Sequence, residues 1–354
     1  MELQSVWGWQ PALYLFLGGM GAGAFIMAAI LYLKDRERNA RIVCVSMWAA
    51  AISLIVGLLL LLMELVTPLR GLLMWQSFSH FTSWMTYGAW GAFGAIAAFG
   101  ISALFATPKV AAWLGEKCSW YAQHEWGIRK AFAIAGIALG AFVAFYTGML
   151  LMTAGSVPFW NTLLLPALFT VSAFDTGVAL VEVVAIALAK KETIEAGAKR
   201  FMEKCVVVLV ALEAVVLAAF LGSMLLADAS TPIGAAAAAS AGMFVSGQLA
   251  VWFWGLVAIV GLVLPFAMAL KGLLAKRVPA GVATTSEALP SEASSLAGSA
   301  EAKAHDVAAK HVVDVPTLIG AAGALVGGCA LRFLVLAAGV HADVVADTIM
   351  KMIG

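Results

Sequence analysis

The sequence predicts an all-α membrane protein: eight transmembrane helices in two parallel-repeat four-helix bundles, with both termini outside. Three observations carry that prediction. Of 354 residues, 63% are hydrophobic and 12% charged, against about 25% charged in soluble domains, and mean hydropathy is +0.98. Apolar surface on this scale has no place in one water-soluble core, so lipid must act as the solvent, and in lipid a helix satisfies its own backbone. The basic residues, secondly, collect in every other connection between apolar segments. Thirdly, the two halves of the chain echo each other.

Eight segments reach the roughly 20 apolar residues that cross a bilayer. They are expected at about 11–33, 43–66, 83–106, 130–153, 162–189, 203–227, 245–270 and 315–340. No short alternating strands of the barrel kind appear. Lys34, Arg36, Arg38 and Arg41 follow the first span; Lys109, Lys117, Arg129 and Lys130 follow the third. Lys190, Lys191, Lys199, Arg200 and Lys204 follow the fifth, and Lys271, Lys276, Arg277, Lys303 and Lys310 the seventh. These four connections hold 18 of the 21 Lys and Arg, which leaves Arg70, Arg332 and Lys351. By the positive-inside rule the loaded face is cytoplasmic, so both termini face away from the cytoplasm of a prokaryotic inner membrane. The first residues, MELQSVWGWQP, lack the basic stretch of a signal peptide, and none is expected. A net charge of +1 gives no reason to expect nucleic-acid binding.

The repeat is read from three pairs. PALYLFLGGMGAG at 11 answers PALFTVSAFDTGV at 166; TP ends the second span at 67–68 and the sixth at 231–232; AWGAFGAI at 89–96 resembles FWGLVAI at 253–259. Offsets of 155 to 164 residues in one order argue for a duplicated four-helix unit, parallel because four is even. Residues 1–156 form the first bundle, and 157–271 with 315–354 the second. Residues 272–314 are rich in Ala, Ser, Glu and Pro and are expected to be a flexible cytoplasmic linker. Trp7, Trp9, Trp75, Trp84 and Trp160 are assigned to an outer aromatic belt. The glycines of GGMGAG (18–23) are assigned to close helix packing.

Cofactor ligands are scarce. Cys44, Cys118, Cys205 and Cys329 stand singly, without a CxxC pair, so no Fe–S cluster is expected. His80, His124, His305, His311 and His341 lie in or beside loops, so no haem and no metal is expected either. What remains is a set of ionisable groups at bilayer depth: Glu64, Asp175, Glu182, Glu213 and Arg332. Each costs about 2.5–3.5 kcal/mol if unpaired, so each needs a partner, a proton or water. Asp175 and Glu182 are seven residues apart, on one helical face with about 10 Å of rise between them. Glu213 sits mid-span in the next helix. Acids stepping inward suit a proton relay; they also suit packing glue, neutral or paired with Arg332.

A second set gathers near the outer end. Gln10 and Tyr14 are one turn apart; Glu64 and Arg70 bracket the end of the second span; His80, Trp84 and Tyr87 share helical spacing; Tyr146 and Thr147 lie two turns from the end of the fourth. Aromatic walls, hydrogen-bonding tips and one proton acceptor suit a lipid-soluble ring with two oxygens, that is, a quinone. Oxidising a quinol needs a base, and Glu64 is placed for it.

WGWQPALYLFLGGMGAGAF, TPLRG…SWMTYGAW, YTGMLL…PFWNTLLLPALF and GGCALRFLVLAAG together resemble the NrfD/PsrC family of polysulfide-reductase-type membrane subunits. The resemblance covers nearly all the chain except 272–314. It implies a membrane anchor that exchanges electrons with menaquinone or ubiquinone and holds no redox metal of its own. It also implies an outer-face ferredoxin-like 4Fe-4S partner, often joined to a molybdopterin catalytic subunit. The family's quinone pocket maps onto Gln10, Tyr14, Tyr146 and Thr147, with Glu64, Arg70 and His80 at its mouth. Where the family often has Asp-Leu-Gly-Arg-Pro, this chain reads ELVTP: Glu64 replaces the Asp and Thr67 stands at the first Arg. The competing class is a secondary transporter or proton channel, since parallel repeats and mid-membrane acids fit it too. Against that class, the spans read as mostly continuous, with Pro166 and Pro265 near ends.

Overall fold

The computed structural model describes residues 3–4, 7–35, 37–64, 84–274 and 314–342. Arg70 and His80 therefore lie outside the described residues, as do Thr67 and most of the linker. Among the described residues ten helices follow in order: α1 (Trp9–Lys34), α2 (Ala40–Met63), α3 (Trp84–Ala106), α4 (Pro108–Lys117), α5 (Ser119–Met152), α6 (Leu164–Ala187), α7 (Ala196–Leu225), α8 (Pro232–Val245), α9 (Ala250–Leu274) and α10 (Val315–Ala337). All but the short α4 and α8 are long and apolar enough to cross a membrane, which gives the eight expected spans. Among the described residues the β-structure is one isolated bridge, Leu3 to Val340. That bridge, with Gln4 N–H donating to Gly339 O at 2.8 Å, brings the two ends of the described residues to the same end of the bundle.

Local chemistry sets the boundaries. α4 and α8 each begin with a proline at the first helical position, where its missing N–H costs nothing. Thr231 Oγ1 also caps α8 by accepting from Gly234 N–H at 3.0 Å. Between α1 and α2, Asp35 Oδ1 accepts from the Glu37 and Arg38 amides, and Asn39 takes the left-handed conformation at φ 61°. Asn pays little for that region. Its Oδ1 then accepts from Glu195 N–H at 2.9 Å, and Glu192 Oε2 accepts from Ile42 N–H at 2.9 Å, so the α6–α7 connection caps α2.

Four local expectations are revised. α5 starts at Ser119, well before 130, because its first turns pack through Tyr121 on Phe105 (5.4 Å) and an Arg129–Glu125 ion pair of 2.8 Å. The stretch near 245 is a helix break rather than a span start: α8 ends at Val245, and Gly247 turns the chain into α9. Trp160 does not face outward toward lipid. It is fully buried and donates from Nε1 to Val335 O at 2.9 Å, because burying an indole is favourable once its N–H is satisfied. Pro265, finally, lies inside α9, directly after an eleven-residue π-helical stretch, Phe253–Val263. A proline ring collides with the carbonyl four residues back in an α-helix, and wider winding accommodates it.

The spans close into two rings. α1 packs on α2, α2 on α3, α3 on α5 and α5 on α1; α6 packs on α7, α7 on α9, α9 on α10 and α10 on α6. The rings meet through α1 on α6, flanked by α5 on α6 and α1 on α10. The central pair touches backbone to backbone. A Cβ on Gly23 would overlap the Ala173 carbonyl, and one on Gly177 would overlap Gly23 itself. Without a hydrophobic driving force between helices in lipid, such close approach supplies the dispersion contact that holds two bundles together.

Candidate functional sites

One group of side chains lies at the end where the termini meet. Gln10 and Tyr14 sit in the first turns of α1, Glu64 ends α2, Gly88 is in the first turns of α3, and Tyr146 and Thr147 lie near the end of α5. All four helices of the first ring therefore contribute. Glu64 is half-buried and reaches toward α1: a Cβ on Gly8 would stand 3.1 Å from Gln10 Oε1 and 3.9 Å from Glu64 Oε1. Tyr14 is buried against Gly18 and Gly57, and the Thr147 methyl faces the same side of Gly18. Thr147 itself is fully buried and its Oγ1 donates to Ala144 O at 2.7 Å. Tyr146 lies over Gly88, where any Cβ would overlap its ring, and stacks on Phe142 at 6.0 Å. The structure thus places Gln10 and Glu64 beside Gly8, Tyr14 and Thr147 beside Gly18, and Tyr146 over Gly88. Tyr87 differs: it is 43% exposed on the outer surface of the ring, edge-on to Trp84 at 6.0 Å.

The second group runs through the other ring. Asp175, Glu182, Glu213 and Arg332 are all buried. Arg332 donates from its terminal nitrogens to Ser172 Oγ, to Gly328 O at 2.9 Å and to Phe169 O at 3.2 Å, with its guanidinium 5.0 Å over the Phe169 ring. Arg332 Nε and Asp175 Oδ1 are buried without a hydrogen-bond partner, so this knot of charge is only partly satisfied.

Nearer the basic end, Glu182 lines two spaces. One is a cavity shared with Glu203 and Thr317; the other is an open cleft of about 640 Å³ edged by Lys199, Asp314 and Thr317. Lys199 pairs with Asp314 and stands 3.8 Å from Glu203 Oε1. Partial burial raises the Asp314 pKa, but hydrogen bonds from Lys199 and Thr317 outweigh it and hold the carboxyl below its usual range. Sequence reading singled out neither Ser172 nor Glu203, Lys199 or Asp314. The signal available was the four-residue spacing of Lys199 and Glu203, one turn on a helix face. Among the described residues, no group of three or more His, Cys, Asp or Glu side chains is arranged to hold a metal ion.

A family model described as "Polysulphide reductase, NrfD" matches residues 1–285. The chain belongs to the NrfD family. Protein NrfD of Escherichia coli (strain K12) is 27% identical over 279 residues, covering 74% of this chain and 84% of that protein. The C subunit of the polysulfide reductase of Wolinella succinogenes is 32% identical over 192 residues, 49% of this chain and 56% of that one. The resemblance read from the motifs therefore holds, and this NrfD-family chain is a multi-pass membrane protein of the kind found as a membrane subunit of redox complexes.

Proposed function

We propose that this NrfD-family chain is the quinone-reacting membrane subunit of an iron–sulfur/molybdopterin-type oxidoreductase complex, and not a complete enzyme alone. The observation that carries the reading is the placement of Gln10, Glu64, Tyr14, Tyr146 and Thr147 on three helices at one end of one bundle. An apolar slot with a few polar tips is what a quinone ring requires. Each quinol oxidised gives up two electrons and two protons. The electrons pass to a ferredoxin-like 4Fe-4S partner outside; Glu64 takes the two protons one after the other and hands each to the water outside. Running backward, the same parts reduce quinone. Arg70 and His80 belong to this mouth in the proposal, and Tyr87 lies at its lipid-facing edge.

The remaining assignments rest on the same reading. Both termini lie outside a prokaryotic inner membrane, as the basic loops support. Residues 1–156 and 157–271 with 315–354 are parallel repeats, and the 272–314 linker lies within the second, between its third and fourth spans. The equivalent ring packing supports that, since α5 on α6 is the counterpart of α10 on α1. Asp175, Glu182, Glu213 and Arg332 form a proton route from the basic end. The transporter or proton-channel reading draws on one observation, the π-helical stretch beside these acids in α9. One experiment separates the two. Co-purified with its native partners, the Glu64→Gln protein is expected to assemble normally and reduce the iron–sulfur partner from quinol at least about a hundredfold more slowly. Unchanged turnover removes the role of Glu64, and purification without any redox partner favours the transporter.

A further inference from the structure

The cavity between α6, α7, α9 and α10 holds two buried carboxyls, Glu182 and Glu203, 6% and 7% exposed, with Thr317 on its wall. Its remaining lining is apolar, including Val206, Pro265 and Met268. The Glu203 carboxyl is fixed in place. Lys199 Nζ stands 3.8 Å from its Oε1, and on the other side it rests against Gly272 of α9, where a Cβ would overlap it. The charges do not balance. Glu182, Glu203 and Asp314 face one inward cation, Lys199, whose closest partner is Asp314; Arg200 and Lys204 on the same helix are exposed. Two carboxyls facing one apolar space do not both ionise, since like charges there repel with little screening. One proton must stay. The space is large enough for a water, which two carboxyls and a hydroxyl can hold.

We propose that Glu182 and Glu203 share one proton across a water in this cavity, and that Glu182, which also lines the basic-end cleft, is where the pair exchanges that proton with the cleft. The inference deepens the proton-route part of the proposed function and rests on it for its role; the shared proton stands on the cavity alone. Oxygen-to-oxygen transfer through the water leaves the pair's net charge unchanged, and the route advances when the pair passes its proton inward and takes another from the cleft at Glu182.

Infrared spectroscopy of the full chain tests it. The expected result is one protonated-carboxyl band, shifted in D2O, that Glu182→Gln and Glu203→Gln each remove or displace. Gly272→Ala, which keeps both acids and moves only the Glu203 carboxyl, is expected to displace the same band. Bands that respond to one substitution and ignore the other overturn the shared proton. In vesicles holding the complete complex, Glu203→Gln is expected to slow proton uptake at least about tenfold while quinol-to-partner electron transfer persists. A shared band with unchanged uptake overturns the pair as the entry to the route, and loss of electron transfer in every variant counts against the proposed function instead.

Discussion

Tyr146 and Arg332 show how single residues hold this membrane protein together. Tyr146 occupies the space that Gly88 leaves by having no side chain. Gly88→Ala sets two effects against each other: alanine gains about 0.5–1 kcal/mol in a helix, and overpacking costs about 1–3 kcal/mol. Overpacking is expected to win, since the Cβ falls within the ring and not at its edge. The expected outcome is a net loss of about 1–2 kcal/mol, read as a lower thermal midpoint in detergent, with quinol-driven turnover reduced alongside. Arg332 is fully buried and donates to a hydroxyl and two carbonyls beside Asp175 and Glu213. Arg332→Met is expected to cost about 3–5 kcal/mol, the range for breaking a buried charge cluster from one side. Equal thermal stability would show that the acids carry protons enough to dispense with it. Asp314 gives a pH dependence of known sign. Its folded pKa is depressed, so the stability it contributes is present above the ordinary carboxylate range and lost as pH falls through the folded value. Asp314→Asn is expected to flatten that acid limb of the thermal-stability profile.

At the scale of elements, α9 is where pattern and structure part. Hydropathy reads one continuous span there. The chain instead winds as a π-helix from Phe253 to Val263, and Gly261 meets Gly327 of α10 so closely that a Cβ on either would overlap the other backbone. Gly261→Leu is expected to separate α9 from α10 and abolish assembly with redox partners. A leucine at exposed Val263 on the same helix is the control expected to leave assembly intact. The same elements explain which acids were legible. Asp175, Glu182 and Glu213 stand out because a charge among twenty apolar residues is conspicuous in any linear reading. Glu203 does not, because it sits beside Lys199, Arg200 and Lys204 and reads as part of a solvated end. Only the approach of Gly272 of α9 makes it a buried group.

For the whole molecule, the terminal bridge and the basic loops make one further expectation. Cys118, between α4 and α5, is expected to react with a membrane-impermeant maleimide from the cytoplasmic side alone. A Leu3→Cys variant, at a position 55% exposed, is expected to react from the opposite side. Reaction of both from one side would invert or break the topology. The spans and their alternation were readable in advance because lipid imposes a single rule along the chain: about twenty apolar residues per crossing, with basic residues left where the chain does not translocate. That rule is local, so composition and order alone determined the eight crossings, the loaded face and the acids caught at depth. Tertiary structure decided what neighbours do to one another: Trp160 turned inward onto Val335, Tyr146 over Gly88, α1 against α6 through paired glycines, and Glu203 brought to one cavity with Glu182. In lipid every apolar helix face is equally content, so hydropathy cannot choose between them; shape and the few polar partners do.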